Sequence, residues 1–312
     1  MRALAFALAA LPLTLSACGT EAADPGAFAE ILPDQRVMID LPVDYAGAAR
    51  EREWSQLYLH TAMATENVNG LIGSVLTLVD TVTALPPSWS DEEDNTAVWG
   101  PFTDPLNPAE TVLWVHYDEP TDVYTWVFGQ RPKNMGEVEW IQVVAGQVNE
   151  GATEEASDGW FAIDFDKLHE LDPTHTATGR FVTEYDVAQD QVSAQAIFDD
   201  FADGDGPTDA VYRYEQVVGG EGAMQLMQTV DIHGDQSLDE LLAIHSRWLN
   251  SGEGRGDAWV TGGDLGDAVG TLSECWGPVF DVVYSLNNWD ESPEQGDVGE
   301  CAFAEAEFVS GE

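Results

Sequence analysis

From Thr96 to the C-terminus, apolar residues recur at every second position in one short segment after another. No other feature constrains the fold as strongly, because a period of two puts alternate side chains on opposite faces of a strand. Residues 110–130 read as strand, turn, strand, with Glu119-Pro120-Thr121-Asp122 as the turn. Residues 136–148 add a strand. Residues 159–168 add another, with Phe161, Ile163 and Phe165 on one face and Asp164 and Asp166 on the other. Residues 179–188 and 191–201 pair across Gln189-Asp190. Residues 209–232 form a hairpin around Gly219-Gly220-Glu221-Gly222, and strands resume at Asp257. Between them, residues 237–251 show helical spacing, with Leu238, Leu241, Leu242, His245 and Leu249 on one side. No strand–helix–strand alternation occurs. The order predicts an antiparallel meander of about eight to ten strands rather than a parallel sheet.

The segment before the strands has a different period. Trp54, Leu57, Tyr58, Ala62, Val68, Ile72, Val75, Val79 and Val82 fall on one stripe at three- and four-residue steps. A helix is expected over residues 44–85, with Asp44 as its N-cap and Pro86-Pro87 as its stop. Asn69-Gly70 and Gly73 are places where it can break in two. The fold class expected is α+β: a long N-terminal helix packed on a large, curled antiparallel meander, half-barrel or barrel-like. It forms a single domain over residues 37–312, mainly β from 96 onward. Lipocalin-like barrels and the half-barrels of lipoprotein carriers share this element order, a likeness of architecture without a shared motif.

The N-terminus carries an address. Met1-Arg2 precedes a run from Ala3 to Ala17 that is nearly all apolar. This is too short to span a membrane and the right length for an export signal. It ends in Leu15-Ser16-Ala17-Cys18, which resembles the lipobox of bacterial lipoproteins. The resemblance implies removal of residues 1–17, a diacylglycerol thioether on Cys18, and a membrane anchor made of two chains, where one binds only marginally. Gly19 after the anchor implies outer-membrane rather than inner-membrane placement. Residues 18–36 read as a tether. With Cys18 lipidated, Cys275 and Cys301 remain, and an exported pair is expected to oxidise into a C-terminal disulfide.

Charge sets limits on partners. The chain has 57 acidic and 11 basic residues, and only Lys133 and Lys167 are lysines. Loss of Arg2 with the signal leaves 10 bases against 57 acids, a net charge of −47. Such a field excludes nucleic acid and anionic lipid surfaces as partners, since both need Lys and Arg. Adaptation to a saline habitat, cation binding and a basic partner remain three readings of the acids. With 44% hydrophobic residues, including 11 Trp, 8 Tyr and 12 Phe, the chain has material for a core.

Catalytic signatures are missing. Neither lysine follows a glycine, so no phosphate-binding loop is present, and there is no Gly-x-Ser-x-Gly and no His-Glu-x-x-His. The glycine-rich run 252–266 does not join a strand to a helix in a βαβ unit. Asp199, Asp203, Asp205 and Asp209 form an oxygen-rich segment that suits calcium, although the EF-hand register fails. Asp231, His233 and Asp235 share one face if extended, a set a divalent metal can use. Asp164 and Asp166 are a carboxylate pair without a sugar cleft to serve. Arg255-Gly256-Asp257 spells an adhesion tripeptide. Trp114, Trp126, Trp140 and Trp160 sit on successive strands and can line an apolar pocket or fill the core. The expected role is non-enzymatic: a lipid-anchored envelope protein that binds or carries an apolar ligand or serves a structural purpose. A calcium-dependent interaction or adhesion module is the alternative, and a hydrolase with a site assembled from scattered residues is the third.

Overall fold

The computed structural model describes residues 28, 31–42, 54–91, 93–105, 107–133, 138–149, 156–203, 208–232, 238–291 and 293–309. Its sheet begins with β1 (Trp89–Asp91), β2 (Thr96–Thr103), β3 (Ala109–Asp118), β4 (Val123–Pro132) and β5 (Ile141–Asn149). Next come β6 (Ser157–Asp164), β7 (Thr178–Val187), β8 (Gln191–Ala202), β9 (Thr208–Val217) and β10 (Gly222–Val230). The run ends with β11 (Glu240–Trp248), β12 (Gly254–Gly262), β13 (Val269–Trp276), β14 (Val282–Asn287) and β15 (Glu294–Gly296). Each strand pairs antiparallel with the next in sequence, so fifteen strands form one open meander. Among the described residues the longer α-helices beside it are α1 (Gln56–Thr83) and α2 (Phe165–Leu171).

The helix stripe read from the sequence is the buried face of α1. Leu57, Tyr58, Val68, Ile72, Val75, Val79 and Val82 are all buried. The helix starts later than expected. Ser55 is the N-cap, its hydroxyl accepting from the Tyr58 amide at 3.1 Å. Trp54 is not helical but bridges to Asp281. Residues 44–53, including the expected cap Asp44, lie outside the described residues. No break occurs at Asn69-Gly70 or Gly73: one helix of 28 residues runs through. Thr77, Thr81 and Thr83 return their hydroxyls to the carbonyl four residues back, which satisfies polar groups in a β-branched segment.

Two segments depart from the expected pattern. Residues 240–248 form a strand, not a helix. The inner face of β11 (Leu242, Ile244, Trp248) packs in the core, and its outer face (Ala243, His245) is buried as well. A strand covered on both faces loses its alternation and reads like an apolar helix. Residues 159–168, read as one strand, turn from β6 into α2 at Asp164. The Asp164 carboxylate accepts from the Lys167 amide at 3.1 Å as an N-cap, while Asp166 accepts from the Gly179 amide at 2.9 Å. The two carboxylates therefore serve chain geometry. The apolar side chains Phe165, Leu168 and Leu171 of α2 pack on the core.

One apolar cluster joins α1 to strands from β2 through β13. Large and small residues alternate across it. Trp126 lies opposite Gly146, Trp248 opposite Gly222, and Trp276 opposite Gly254, so each indole covers a neighbouring strand's bare backbone. The segment before α1 is packed too, beginning with Phe28 and Leu32 inside the stretch expected to be a free tether. Its residues Val37, Ile39 and Leu41 are buried in alternation. Ile39 exchanges two 2.8 Å hydrogen bonds with the side chain of Asn69 on α1, and the Asp40 amide donates to the Tyr214 hydroxyl on β9. The segment thus laces helix to sheet. At the other end, Cys275 and Cys301 form the expected disulfide.

Candidate functional site

Two concavities mark the inner side of the sheet. The first lies where α1 faces β8 and β9, with a volume of about 300 Å³. Its walls are Leu71 from α1 and Phe198, Phe201, Ala210 and Tyr212 from the strands, with Asn67, Asp203 and Thr208 among its polar groups. A register shift between Phe198 and Phe201 explains the aromatic wall. Strict alternation sends residues 198 and 201 to opposite faces. The irregularity, with Asp200 at φ 49°, brings both rings to one side. Phe198 stands edge-on to Phe201 at 5.2 Å and to Tyr212 at 5.3 Å, while Phe165 of α2 meets Phe201 at 5.2 Å. Burial pushes the Tyr212 hydroxyl's pKa up, so it stays a neutral donor.

The second concavity, about 410 Å³, lies between residues 35–40 and the ends of β7–β9. Met38, Val187 and Val192 supply apolar wall, and Arg36, Tyr214 and Gln216 supply polar groups. Arg36 folds back on Asp34 with contacts of 2.8–2.9 Å. The Tyr214 hydroxyl donates to Gln216 and is kept protonated mainly by burial. Arg36, Asp40 and Tyr214 are the ionisable groups among the twelve lining residues. Apolar surface makes up most of the wall in each concavity. Both are suited to holding a ligand by burial of apolar surface.

The four tryptophans do not line one cavity. Trp126 is fully buried in the core beside Phe128 and Phe161. Trp114 points to the opposite face, in phase with neither Leu113 nor Val115, and meets Trp140 edge-on at 5.4 Å beneath the Arg131 guanidinium. Trp160 alternates with buried Phe161 and bonds Gln147 on β5. Alternation is the reason for Trp114 and Trp160, each out of phase with the core residue beside it, while Trp140 is not on a strand but just before β5.

Of the acidic candidates, Asp205, His233 and Asp235 lie outside the described residues. Asp209 accepts from the Asp200 amide at 3.0 Å, Asp203 accepts from the Thr176 hydroxyl at 3.3 Å, and Asp199 stands opposite Arg180 in the β7–β8 ladder. Asp231 follows the end of β10. Among the described residues no three His, Cys, Asp or Glu side chains gather as a metal site. The tripeptide Arg255-Gly256-Asp257 is strand β12, with Arg255 and Asp257 buried and Gly256 under Leu57 of α1, so it is not displayed for adhesion. Cys18 precedes the described residues, and among these no helix is long and apolar enough to cross a membrane.

The aromatic cleft was not read from the sequence. Its available signal is Phe198-Asp199-Asp200-Phe201, where the period of two breaks between two aromatics. No protein-family model, no curated protein and no solved structure matches the chain.

Proposed function

We propose that this is an exported lipoprotein, anchored through Cys18 and directed to the outer membrane, whose folded part is a half-barrel that binds an apolar ligand without catalysing its conversion. The aromatic cleft of Leu71, Phe198, Phe201, Ala210 and Tyr212 carries the reading. Its volume, about 300 Å³, is at the small end of ligand sites and matches a short acyl or aromatic group. The interior of the half-barrel is filled by α1 and the aromatic rows, so the ligand enters at this margin rather than along the axis. The Cys275–Cys301 bond supports an oxidising compartment.

A neutral fluorescent probe, N-phenyl-1-naphthylamine, tests the cleft. Saturable binding to the soluble chain is expected. Ala210→Phe, which fills the cleft, should weaken it about tenfold or more, and Thr208→Trp at the margin should do so with less risk to folding. A folded chain that takes up no probe, or variants that bind as the parent does, overturns the proposal. Mass spectrometry of the mature N-terminus tests the anchor separately: an unmodified start at any residue other than Cys18 removes it.

A further inference from the structure

The apolar-ligand reading leaves the second concavity unused, and its chemistry differs from that of the first. Val187, Val192 and Gln216 stand side by side in register on β7, β8 and β9. Met38 and Asp40 close the space from the segment before α1. That segment alternates: Val37, Ile39 and Leu41 are buried in the core, so Met38 and Asp40, out of phase with them, are left to form a wall. The volume, about 410 Å³, lies in the range of small-molecule sites.

The polar groups of this wall are unequally used. Arg36 holds both carboxylate oxygens of Asp34 at 2.8–2.9 Å, so its charge is already matched. The Tyr214 hydroxyl is used in both directions: it accepts from the Asp40 amide at 3.0 Å and donates to the Gln216 side-chain oxygen. Two groups are left over. Gln216 is 7% exposed, yet its Nε2 has no acceptor among the described residues. The Asp40 carboxylate is exposed and meets no base among the described residues. Burial is the main cause that raises the Tyr214 pKa; the bond from the Asp40 amide opposes it, and the Asp40 charge adds to the rise. That carboxylate therefore lies within electrostatic reach of the Tyr214 hydroxyl, which also bonds Gln216, so the two leftover groups serve one space. Asp34, Arg36 and Asp40 sum to one negative charge, the sign of the whole molecule, and a cleft in such a field gathers cations.

We propose that this concavity is a second binding site, and that it takes a small amphipathic amine. The apolar body lies on Met38, Val187 and Val192. The ammonium group meets the Asp40 carboxylate, and a hydroxyl or carbonyl oxygen on the body accepts from Gln216 Nε2. An anion is repelled by Asp40 and by the molecule's field, and a neutral ligand gives the carboxylate no partner. The site shares no lining residue with the aromatic cleft, so its failure leaves the reading of that cleft standing.

Four probes of similar shape test the assignment by amide-shift titration of the soluble chain at about 0.15 M NaCl, where the longer-range field is screened. They are phenylethanolamine, the neutral 1-phenyl-1,2-ethanediol, the anion mandelate, and phenethylamine, which lacks the hydroxyl. Phenylethanolamine should bind saturably. The diol and mandelate should bind about tenfold or more weaker, since a charge-assisted bond is lost, and phenethylamine several-fold weaker. Asp40→Asn should cost about tenfold and erase the preference for the amine over the diol. Glu215→Gln, which removes an exposed charge from the outer face of β9, should leave binding unchanged. No binding of phenylethanolamine, equal binding of the diol, or a loss in Glu215→Gln as large as in Asp40→Asn overturns the proposal. Should Asp40→Asn fail to fold, the parent decides: the side-chain amide resonance of Gln216 should move as phenylethanolamine is added, and a fixed resonance refutes the site.

Discussion

The indole–glycine pairs show how single residues set the sheet's packing. A Cβ at Gly146 would stand 2.3 Å from Trp126 Cε2, inside a core with no room to yield. Gly70, on the exposed side of α1, has nothing within 4 Å of the same added carbon. Gly146→Ala should therefore destabilise by about 1–3 kcal/mol through overpacking. Gly70→Ala should stabilise by about 0.5–1 kcal/mol through helix propensity. Thermal melts of the two variants check both signs, and a neutral Gly146→Ala would show that Trp126 is free to move.

His245 is a second case. Burial is the main cause holding its pKa below the ordinary 6.5, helped by the Arg247 charge and opposed by the Glu307 carbonyl, the Glu307 carboxylate and Asp257. The folded state thus takes up a proton less readily than the unfolded chain. Above about pH 6.5 the residue is neutral in both states and contributes nothing. As pH falls below that, the unfolded chain is protonated first and stability drops. His245→Asn should flatten the decline of melting temperature between about pH 6.5 and 5 relative to the parent; parallel curves would place the ring in water.

At the scale of elements, α1 is docked by its first turn as well as by its stripe. The Glu274 carboxylate on β13 accepts from the Ser55 hydroxyl at 2.7 Å and from the Leu57 amide at 3.0 Å. A negative group is thereby set at the positive end of the helix, in a buried place. Ser55→Ala should cost about 1 kcal/mol as a lost cap. Glu274→Ala should cost about 2–3 kcal/mol, because bonds to a charged group are worth more and the Leu57 amide is left bare. The two act through one carboxylate, so the double variant should cost less than the sum. Strict additivity in denaturant melts would mean that the cap and the strand act independently. The stripe of α1 was legible because its period of 3.6 is local. The late start was not, because Ser55 becomes a cap through a residue 219 positions away.

For the molecule as a whole, charge dominates. Near a net charge of −46, most carboxylates have no cation to meet, and their repulsion opposes the compact state. The Debye length falls from about 30 Å at 0.01 M to about 3 Å at 1 M salt. Thermal stability should rise as NaCl goes from dilute to molar. Calcium chloride at matched ionic strength separates screening from a bound ion: stabilisation by micromolar to millimolar calcium, with none from NaCl, would assign the acids to binding by mass action. Asp199, Asp203, Asp205 and Asp209 would then be the first to replace.

The sequence by itself determined the local periods: the helical stripe and the hairpins around Glu119–Asp122, Gln189-Asp190 and Gly219–Gly222. Each is set by neighbours a few residues apart or by composition. Tertiary structure decided the rest. β11 hides in the sequence because α1 covers one of its faces and the C-terminal segment covers the other. Phe198, Phe201 and Tyr212 meet only because an irregularity in β8 turns one ring to the other face. Arg247, Arg255 and Glu307 become one cluster across 60 residues of chain only when the disulfide and the strand register bring them together. Such contacts depend on which faces are covered, and no local pattern records that.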